Sequence, residues 1–323
     1  MGKDIILQTE NLKKYFRIRR GQEVRAVDGV SIEVERGKTL GLVGESGCGK
    51  STLGRTIIRI YDPTEGKITL NGKDITGKST RAFRQELSRS VQMIFQDPYA
   101  SLNPRMTVSD LIAEGWDLNK NIHYSPAERR EKVLELLRIV GLNEEHAGRF
   151  PHEFSGGQRQ RIGIARSLSM NPELVICDEP ISALDVSIQA QVMNLLLELQ
   201  QKKNLSYIFI AHDLSMVRYI SDTVAVMYLG SIMEYASNRE LYEHPQHPYT
   251  KALFSAIPVA DPKAEKQRKR IELQGEIPSP INAPKGCKFC TRCAYAKPIC
   301  HEQAPELKEC APGHMVACHE VNG

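Results

Sequence analysis

One glycine-rich segment has the residue types and spacing of a phosphate-binding loop. Residues 44–52 are GESGCGKST, which fits the pattern G-x-x-x-x-G-K-[ST]. Glycines let backbone N–H groups close around a phosphate, and the start of the following helix adds partial positive charge. We expect Lys50 to reach the β- and γ-phosphates and the hydroxyl of Ser51 to bind Mg²⁺. The predicted contacts are Gly44, Glu45, Ser46, Gly47, Cys48, Gly49, Lys50, Ser51 and Thr52.

The sequence around this loop supplies the context that a phosphate loop requires. The apolar run LGLV at residues 40–43 predicts a buried strand before the loop, and residues 53–60 have a helical pattern after it. Cys48 could be a low-pKa thiol at a helix N-terminus. We interpret it instead as a small residue at a variable position of the loop.

Two consecutive carboxylates follow a second predicted strand. The run LVIC at residues 174–177 is followed by Asp178 and Glu179. Ligands of open α/β sheets bind at the carboxyl ends of strands. Asp178 suits the Mg²⁺ shell, and Glu179 can orient or deprotonate an attacking water. By themselves the two carboxylates could simply mark the exit of a strand to solvent, but the phosphate loop earlier in the chain favours nucleotide hydrolysis.

A second glycine-rich segment separates this chain from other phosphate-loop NTPases. Residues 154–161 are FSGGQRQR, in which Ser155 is a natural helix N-cap and two glycines expose N–H groups at a helix start. The segment resembles the LSGGQ signature of ABC ATPases, with Phe154 where leucine is commoner. An ordinary turn is the alternative. The resemblance implies phosphate contacts from Ser155, Gly156, Gly157 and Gln158.

Other motifs of that family occur in the same order, and the resemblance covers about residues 5–240. Gln96 matches the glutamine that touches Mg²⁺ and links two subdomains. Asp185 ends the SALD sequence of the D-loop, and His212 matches the switch histidine that contacts the γ-phosphate. Phe16 aligns with the aromatic residue that stacks on adenine. Tyr15 is the alternative for this role, and Phe16 could instead be a core residue. The resemblance thus implies Glu179, His212 and Gln96 as catalytic residues and Ser51, Gln96 and Asp178 as Mg²⁺ contacts.

The elements that must position these residues are predicted by short apolar runs that alternate with helical patterns. Strands are predicted at residues 40–43, 91–95, 174–177, 207–210 and 224–227. Such alternation implies a parallel sheet that is covered on both faces. The predicted fold class is α/β, a P-loop NTPase of the ABC ATPase type with an inserted helical signature subdomain and a small Cys-rich C-terminal tail.

Helical signals without strand signals mark an inserted subdomain at residues 98–167. Within it, Ser125 and Glu128 form a predicted capping box with proline at the first helical position. Residues 1–97 and 168–240 are then expected to form a RecA-like α/β ATPase core. Residues 241–323 are richer in proline and charge and are expected to form a separate C-terminal extension.

Three segments narrow the resemblance to the oligopeptide/dipeptide permease branch, and these are residues 91–108, 179–192 and 244–253. The segment SALDVSIQAQ is most similar to the second ATPase subunit of these systems, the F subunit. The resemblance implies ATP as the nucleotide. It also implies four partner proteins: a second homologous ATPase, two transmembrane permease subunits and an extracytoplasmic peptide-binding protein. ATPase domains of the family pair head to tail, so that the signature of one caps the γ-phosphate of the other.

Alternative functions stay open at this point. Related importers carry nickel or sugars, and non-transport ABC ATPases act on DNA or the ribosome. DNA-maintenance members have a long coiled coil between the phosphate loop and the signature, and ribosome-associated members have two ATPase halves in one chain. A purely structural subunit is a further alternative, against which Lys50, Asp178, Glu179 and His212 argue.

Composition limits which partners the chain can have and where in the cell we expect it. The formal charge of +4 is too small to indicate nucleic acid, and we interpret the basic run at residues 263–270 as a solvated linker. No apolar stretch approaches the roughly 20 residues that span a bilayer. The N-terminus lacks the apolar region of a signal peptide. We therefore expect a peripheral protein on the cytoplasmic face of the cell membrane, held there by permease subunits.

Six of the eight cysteines lie near the C-terminus, and such a cluster in a cytosolic protein indicates metal before disulfides. Cys287, Cys293, Cys300 and Cys318 match the positions that bind a [4Fe–4S] cluster in members of the oligopeptide/dipeptide branch. Zinc is the alternative, because Cys287, Cys290 and Cys293 offer the C-x₂-C spacing. The third alternative is that the thiols bind no metal. Cys290 and Cys310 are not among the four ligands of the iron–sulfur assignment. The tail is expected to lie far from the site of hydrolysis.

Overall fold

The bounds of the helices and strands come from a computed structural model, which describes residues 3–19, 22–77, 80–257 and 270–322. Residues 263–269 of the basic run lie outside this part of the chain. The strands are β1 (Ile5–Arg19), β2 (Gln22–Glu35), β3 (Thr39–Val43), β4 (Glu65–Leu70), β5 (Lys73–Asp74), β6 (Val91–Ile94), β7 (Leu174–Asp178), β8 (Ser206–Ile210), β9 (Thr223–Tyr228), β10 (Ser231–Ser237), β11 (Lys308–Ala311) and β12 (His314–Val316).

The helices alternate with these strands through the central part of the chain. They are α1 (Lys50–Ile57), α2 (Arg81–Ser90), α3 (Pro98–Ser101), α4 (Val108–Leu118), α5 (Pro126–Ile139), α6 (Gly156–Ser169), α7 (Val186–Lys203), α8 (Leu214–Ile220), α9 (Asn238–Glu243), α10 (Pro248–Ser255) and α11 (Pro298–Glu302), with 3₁₀ turns at Glu144–Gly148 and Pro151–Glu153. Each of the five predicted strands is present as β3, β6, β7, β8 or β9. In the described residues, no helix combines the length and apolar character needed to cross a membrane.

The chain divides into two units, and the first contains the described residues of Met1–Val34, Thr39–Thr76 and Phe209–Gly323. Its antiparallel sheet has the strand order β2-β1-β4-β5. In its other sheet region the order is β11-β12-β10-β9-β3, in which β3 and β9 are parallel and β9 and β10 antiparallel. The antiparallel sheet was not predicted from the sequence, since its long strands lack clear alternation.

The cysteine-rich tail is part of the first unit rather than a separate extension. β12 pairs with β10 in antiparallel fashion, with Glu234 opposite Val316 and Tyr235 opposite Met315, and β11 pairs with β12. Phe289 and Val316 are buried. The expectation of a separate tail is therefore wrong, because the tail extends the sheet and buries apolar side chains of its own.

The second unit contains Glu35–Lys38 and Gly77–Ile208. Its strands have the order β8-β7-β6, and β6 and β7 are parallel. Helical elements alone occupy residues 98–167, as the sequence predicted. The Nε1 of Trp116 on α4 donates to the carbonyl of Ser169 at the end of α6, at 2.7 Å.

Helix α5 begins with the predicted capping box. The N–H of Glu128 donates to the hydroxyl of Ser125 at 3.3 Å, and the N–H of Ser125 donates to the carboxylate of Glu128 at 2.8 Å. Four apolar side chains of this helix and its C-cap are buried: Val133, Leu136, Leu137 and Val140. The local prediction for this helix is confirmed.

Candidate functional site

The glycine-rich loop of the first unit connects the fully buried strand β3 to helix α1. Gly49 is the residue before the helix, and its φ of 105° lies in the left-handed region that favours glycine. A Cβ added at Gly49 would lie 2.0 Å from the carbonyl oxygen of Ala26, and one at Gly44 would lie 2.1 Å from that of Met227. Only glycine fits at these two places, so the loop can bend tightly over the start of α1.

Lys50 is fixed within this loop. Its side chain is buried, and its Nζ donates to the carbonyl oxygens of Gly44 at 2.8 Å and Glu45 at 3.0 Å. The ammonium group and the N-terminal N–H groups of α1 therefore concentrate positive charge at one loop, which is the electrostatic requirement for binding a phosphate.

Cys48 is buried in the same loop, with its Sγ 3.6 Å from the Nζ of Lys50. Burial raises the pKa of this thiol, although the positive charge of Lys50 opposes the shift. A thiol with a raised pKa is a poor nucleophile. The structure therefore agrees with the interpretation of Cys48 as a small packing residue.

The aromatic candidates of the first unit lie on β1. The ring of Phe16 is half-buried and makes an edge contact with Tyr61, with centroids 5.2 Å apart, and the Nζ of Lys14 lies 5.0 Å from its centroid. The hydroxyl of its rival Tyr15 donates to Asp28 at 2.5 Å. A bond to the hydroxyl leaves the ring of Tyr15 able to stack, so the choice between Phe16 and Tyr15 stays a prediction.

His212 is exposed just after β8, also in the first unit. The next residue, Asp213, caps helix α8, since its carboxylate accepts hydrogen bonds from the N–H groups of Ser215 at 2.8 Å and Met216 at 3.3 Å. His212 thus lies between the carboxyl end of β8 and the capped helix α8.

The two carboxylates of the second unit have different environments. Asp178 ends β7 and is fully buried, whereas Glu179 is half-buried and has a φ of 46°. The Nε2 of Gln96 donates to Oε2 of Glu179 at 2.7 Å. A non-glycine residue with positive φ is uncommon, and such outliers cluster at functional sites. The predicted catalytic residues Gln96 and Glu179 are thus brought into direct contact.

The signature segment forms the start of α6 in the second unit. The N–H of Gln158 donates to the hydroxyl of Ser155 at 3.3 Å, and the N–H of Ser155 donates to the Gln158 side chain at 3.0 Å. Gly156 and Gly157 occupy the first helical positions, where backbone N–H groups lack intrahelical acceptors. This N-terminus has the properties of an anion site. Asp185 is exposed at the start of α7.

The predicted residues divide between the two units. The first contains Phe16, the phosphate loop and His212, and the second contains Gln96, the signature, Asp178, Glu179 and Asp185. Mg²⁺ prefers oxygen donors, and the hydroxyl, amide and carboxylate oxygens predicted for it, those of Ser51, Gln96 and Asp178, are of that kind. Their assignment as magnesium contacts stays a prediction.

Five of the six clustered cysteines lie in one neighbourhood of the first unit. Cys287, Cys290, Cys300 and Cys318 are buried, and Cys293 is half-buried. The N–H of Cys287 donates to the carbonyl of Cys300 at 2.8 Å. Burial, together with the neighbouring thiols Cys300, Cys290 and Cys318, raises the pKa of Cys287 to about 12.

Cys310 is the exception, because it is exposed and its Sγ contacts the carbonyl of His314 at 3.4 Å. Cys290, which the sequence treated as extra, lies with the predicted ligands. No three His, Cys, Asp or Glu side chains within the described ranges form a ready-made metal-binding group. The thiols are therefore neighbours, and binding a metal would require them to converge further.

The tail is not far from the phosphate loop, contrary to the expectation from the sequence. The guanidinium of Arg292 donates to the carboxylate of Glu45 at 2.7 and 3.2 Å. Arg292 was not predicted from the sequence, because it lies 247 positions from Glu45, a separation that no local pattern can indicate.

Comparisons with known proteins agree with this geometry. Residues 27–182 match the family described as ABC transporter, and residues 233–300 match the oligopeptide/dipeptide transporter C-terminal region. The oligopeptide transport ATP-binding protein AppF of Bacillus subtilis is 58% identical, with 98% of each chain covered. The dipeptide transport ATP-binding protein DppF of Haemophilus influenzae is 48% identical, with 98% of this chain and 97% of the relative covered.

Solved structures confirm the predicted fold class. An ATP-binding cassette solved as a dimer in a post-hydrolysis state with ADP and Pi has a TM-score of 0.66 at 25% identity, covering 72% of this chain and 99% of the other. For cbiO1 from Clostridium perfringens, part of the ABC transporter complex cbiONQ, the TM-score is 0.65 at 29% identity, covering 75% and 92%. The chain therefore belongs to the ATP-binding proteins of the oligopeptide/dipeptide branch of ABC transporters.

Proposed function

We propose that this chain binds and hydrolyses ATP and thereby powers the import of oligopeptides or dipeptides through an ABC transporter. The observation that carries the hydrolytic part is the 2.7 Å hydrogen bond that places Gln96 on Glu179 at the end of β7. The peptide cargo is supported by the identity of 58% to AppF over nearly the whole chain.

Each proposed role follows from the chemistry of its residue. The ammonium group of Lys50 and the N–H groups of α1 bind the phosphates and offset their charge. Glu179 orients a water and accepts its proton, while Gln96 holds the carboxylate in place. His212 contacts the γ-phosphate, and Phe16 stacks on adenine with a contribution of about 0.5–1.5 kcal/mol. Bound Mg²⁺ neutralises charge on the phosphate oxygens.

The partners of this chain are proposed from the same resemblance. A second homologous ATPase subunit pairs with it, two transmembrane permease subunits hold it at the cytoplasmic face of the membrane, and an extracytoplasmic peptide-binding protein delivers the cargo. Residues 98–167 act as the subdomain that presents the signature, through Ser155, Gly156, Gly157 and Gln158, to the nucleotide of the partner ATPase. Asp185 lies in the adjoining D-loop.

A reconstituted transporter tests the function. Vesicles that contain the full complex should accumulate labelled di- or oligopeptide only with ATP, and Lys50→Ala in this chain should abolish both accumulation and ATP binding by the chain. If the vesicles accumulate nickel or a sugar instead of peptide, the proposed cargo is wrong. Accumulation that persists undiminished with Lys50→Ala would contradict the proposed role of this chain.

We further propose that Cys287, Cys293, Cys300 and Cys318 hold a [4Fe–4S] cluster with a structural or regulatory role, and zinc is the alternative occupant. The burial of three of these thiols and their proximity support the assignment. Four thiolates suit either iron–sulfur or zinc, and the bonds would cross-link the tail.

Anaerobic purification followed by metal and sulfide analysis tests the cluster. About four irons per chain are expected, and a serine at any of the four ligands should remove them. Cys310→Ser is the matched control, because Cys310 lies apart and its loss should leave the iron in place. One zinc without iron would contradict the cluster.

A further inference from the structure

A short segment of the cysteine-rich tail contacts the phosphate loop through a buried ion pair. Residues 287–293 are CKFCTRC, in which Arg292 lies between two cysteines. Both terminal nitrogens of Arg292 donate to the carboxylate of Glu45, at 2.7 and 3.2 Å. The side chain of Arg292 is only 7% exposed and that of Glu45 is 25% exposed. A bidentate, largely buried pair is strong and geometrically specific.

The backbone of Glu45 is held as well, from a different element of the same unit. Its N–H donates to the hydroxyl of Tyr249 on α10 at 3.0 Å, and Tyr249 is fully buried. The ring of Phe289, from the cysteine-rich segment, lies 5.3 Å from the ring of Tyr249 and 5.4 Å from that of Tyr228. The segment therefore supports both contacts to Glu45.

The position of Glu45 makes these contacts relevant to nucleotide affinity. Glu45 is the second residue of the phosphate loop, so its carboxylate adds negative charge to a loop that must attract negative phosphates. Arg292 places a positive charge directly on that carboxylate. Removing one partner of a buried ion pair leaves an uncompensated charge, which is costly in itself and acts on nearby charges.

A second cation of the segment, Lys288, pairs with a carboxylate on β2. The Nζ of Lys288 donates to Asp28 at 2.7 Å, to the carbonyl of Leu229 at 3.0 Å and to the hydroxyl of Ser231 at 2.8 Å. Asp28 also accepts the hydroxyl of Tyr15, the neighbour of the stacking candidate Phe16. The segment thus contacts the phosphate loop directly through Arg292, and it is linked to Tyr15 on β1 only through Asp28.

We propose that Arg292 and Tyr249 are positioning residues of the phosphate loop, which hold Glu45 and neutralise its charge so that nucleotide affinity depends on the folded cysteine-rich segment. This inference rests on the proposed nucleotide-binding function of the loop. It assigns the tail a direct effect on the first step of the ATPase cycle.

Nucleotide binding by the full-length chain tests the proposal. Arg292→Ala should weaken the binding of the non-hydrolysable analogue AMP-PNP about 3- to 30-fold, the size expected of one unneutralised charge at intermediate dielectric. ADP carries one negative charge fewer and should lose less affinity. The difference between variant and parent should shrink as salt rises, because salt screens the charge. Isothermal titration calorimetry measures each dissociation constant.

Two further variants separate a charge effect from a general loss of structure. Adding Glu45→Gln to Arg292→Ala removes the uncompensated charge and should return the AMP-PNP dissociation constant toward that of the parent. Arg292→Lys keeps the charge without the bidentate geometry and should fall between. Lys308→Ala is the matched control, because it removes the same charge from the tail at an exposed pair with Glu306.

Unchanged AMP-PNP affinity in Arg292→Ala would overturn the proposal. The proposal would also be overturned if ADP and AMP-PNP lose affinity equally and the added Glu45→Gln does not restore it, since that pattern indicates a purely structural role. Lys50→Ala distinguishes this failure from a failure of the proposed function. If Lys50→Ala binds AMP-PNP like the parent, the loop itself is not the nucleotide site.

Discussion

At the residue scale, the conformation of Glu179 supports the hydrolytic role that we propose for this residue. Its φ of 46° places a non-glycine residue in the left-handed region, which costs of order 1–3 kcal/mol. The conformation is held by buried Asp178 before it and by Ser182 after it, whose hydroxyl donates to the carbonyl of Glu179 at 3.2 Å. The carboxylate is thereby directed to the side chain of Gln96.

Replacing Glu179 by glutamine tests its role. Glu179→Gln keeps the size of the side chain but cannot accept the proton of water, so turnover should fall about 10²- to 10⁴-fold. ATP binding should stay intact, and the closed ATPase pair should persist because ATP is no longer consumed. Phosphate release and equilibrium ATP binding measure the two effects, and Lys50→Ala is the comparison that should fail at binding. Hydrolysis within a few-fold of the parent would remove Glu179 from the mechanism.

At the element scale, the start of helix α10 depends on a buried neutral histidine. His247 precedes α10, and its Nδ1 accepts the N–H of Tyr249 at 3.0 Å, which requires this nitrogen to be unprotonated. Burial, together with the positive charge of Lys251, lowers the pKa of His247 from 6.5 to about 3. Because Tyr249 also holds Glu45, this cap supports the phosphate loop.

Protonation of His247 should therefore lower the free energy of unfolding as the pH falls. The unfolded chain binds the proton near pH 6.5 and the folded chain only near pH 3, so the contribution of His247 is full above pH 6.5 and is lost progressively toward pH 3. From this group alone we expect a loss of about 2 kcal/mol between pH 7 and pH 5. Urea unfolding of the full chain at both pH values measures it.

A matched pair of variants isolates His247 from the other titrating groups. His247→Gln lowers stability at pH 7 but should reduce the loss between pH 7 and pH 5 by about 2 kcal/mol. His244→Gln, at an exposed position three residues earlier, should keep the loss seen in the parent. An identical loss in His247→Gln and the parent would show that His247 does not carry this dependence.

At the scale of the whole molecule, the two helix N-termini that we propose to bind phosphate, those of α1 and α6, lie in different units. In the proposed pairing, the α6 N-terminus of one ATPase completes the nucleotide site of the other. A γ-phosphate carries more charge than one loop neutralises, so a second N-terminus stabilises the closed pair. Loss of that phosphate would then open the pair and drive the permease subunits.

The isolated chain should therefore be a weak ATPase. Full, peptide-stimulated activity is expected only when the chain is combined with its sister ATPase and the permease subunits. Phosphate release, measured for the isolated chain and again as each subunit is added, checks this. The same measurement on Ser155→Arg, which blocks the N-terminus of α6, should show lost activity in the complex. Cargo-coupled transport by a complex with two copies of this chain as its sole ATPases would contradict the heteromeric proposal.

The sequence by itself determined the features that depend on neighbouring residues. The phosphate loop, the signature, the alternation of strands and helices and the capping box of α5 each arise from residues a few positions apart. Backbone geometry and hydrogen bonds at a loop or helix end are satisfied locally, so residue type and spacing are sufficient to predict them.

Only the tertiary structure decided how distant segments meet. It joined β12 to β10, brought Cys290 in among the predicted ligands and set Arg292 against Glu45, 247 positions away. It also decided the left-handed conformation of Glu179, which the sequence does not predict because the residue is not a glycine. The physical reason is that strand pairing and buried ion pairs are selected by the burial and charge of the whole fold. A pattern along the chain carries no information on which distant partner satisfies them.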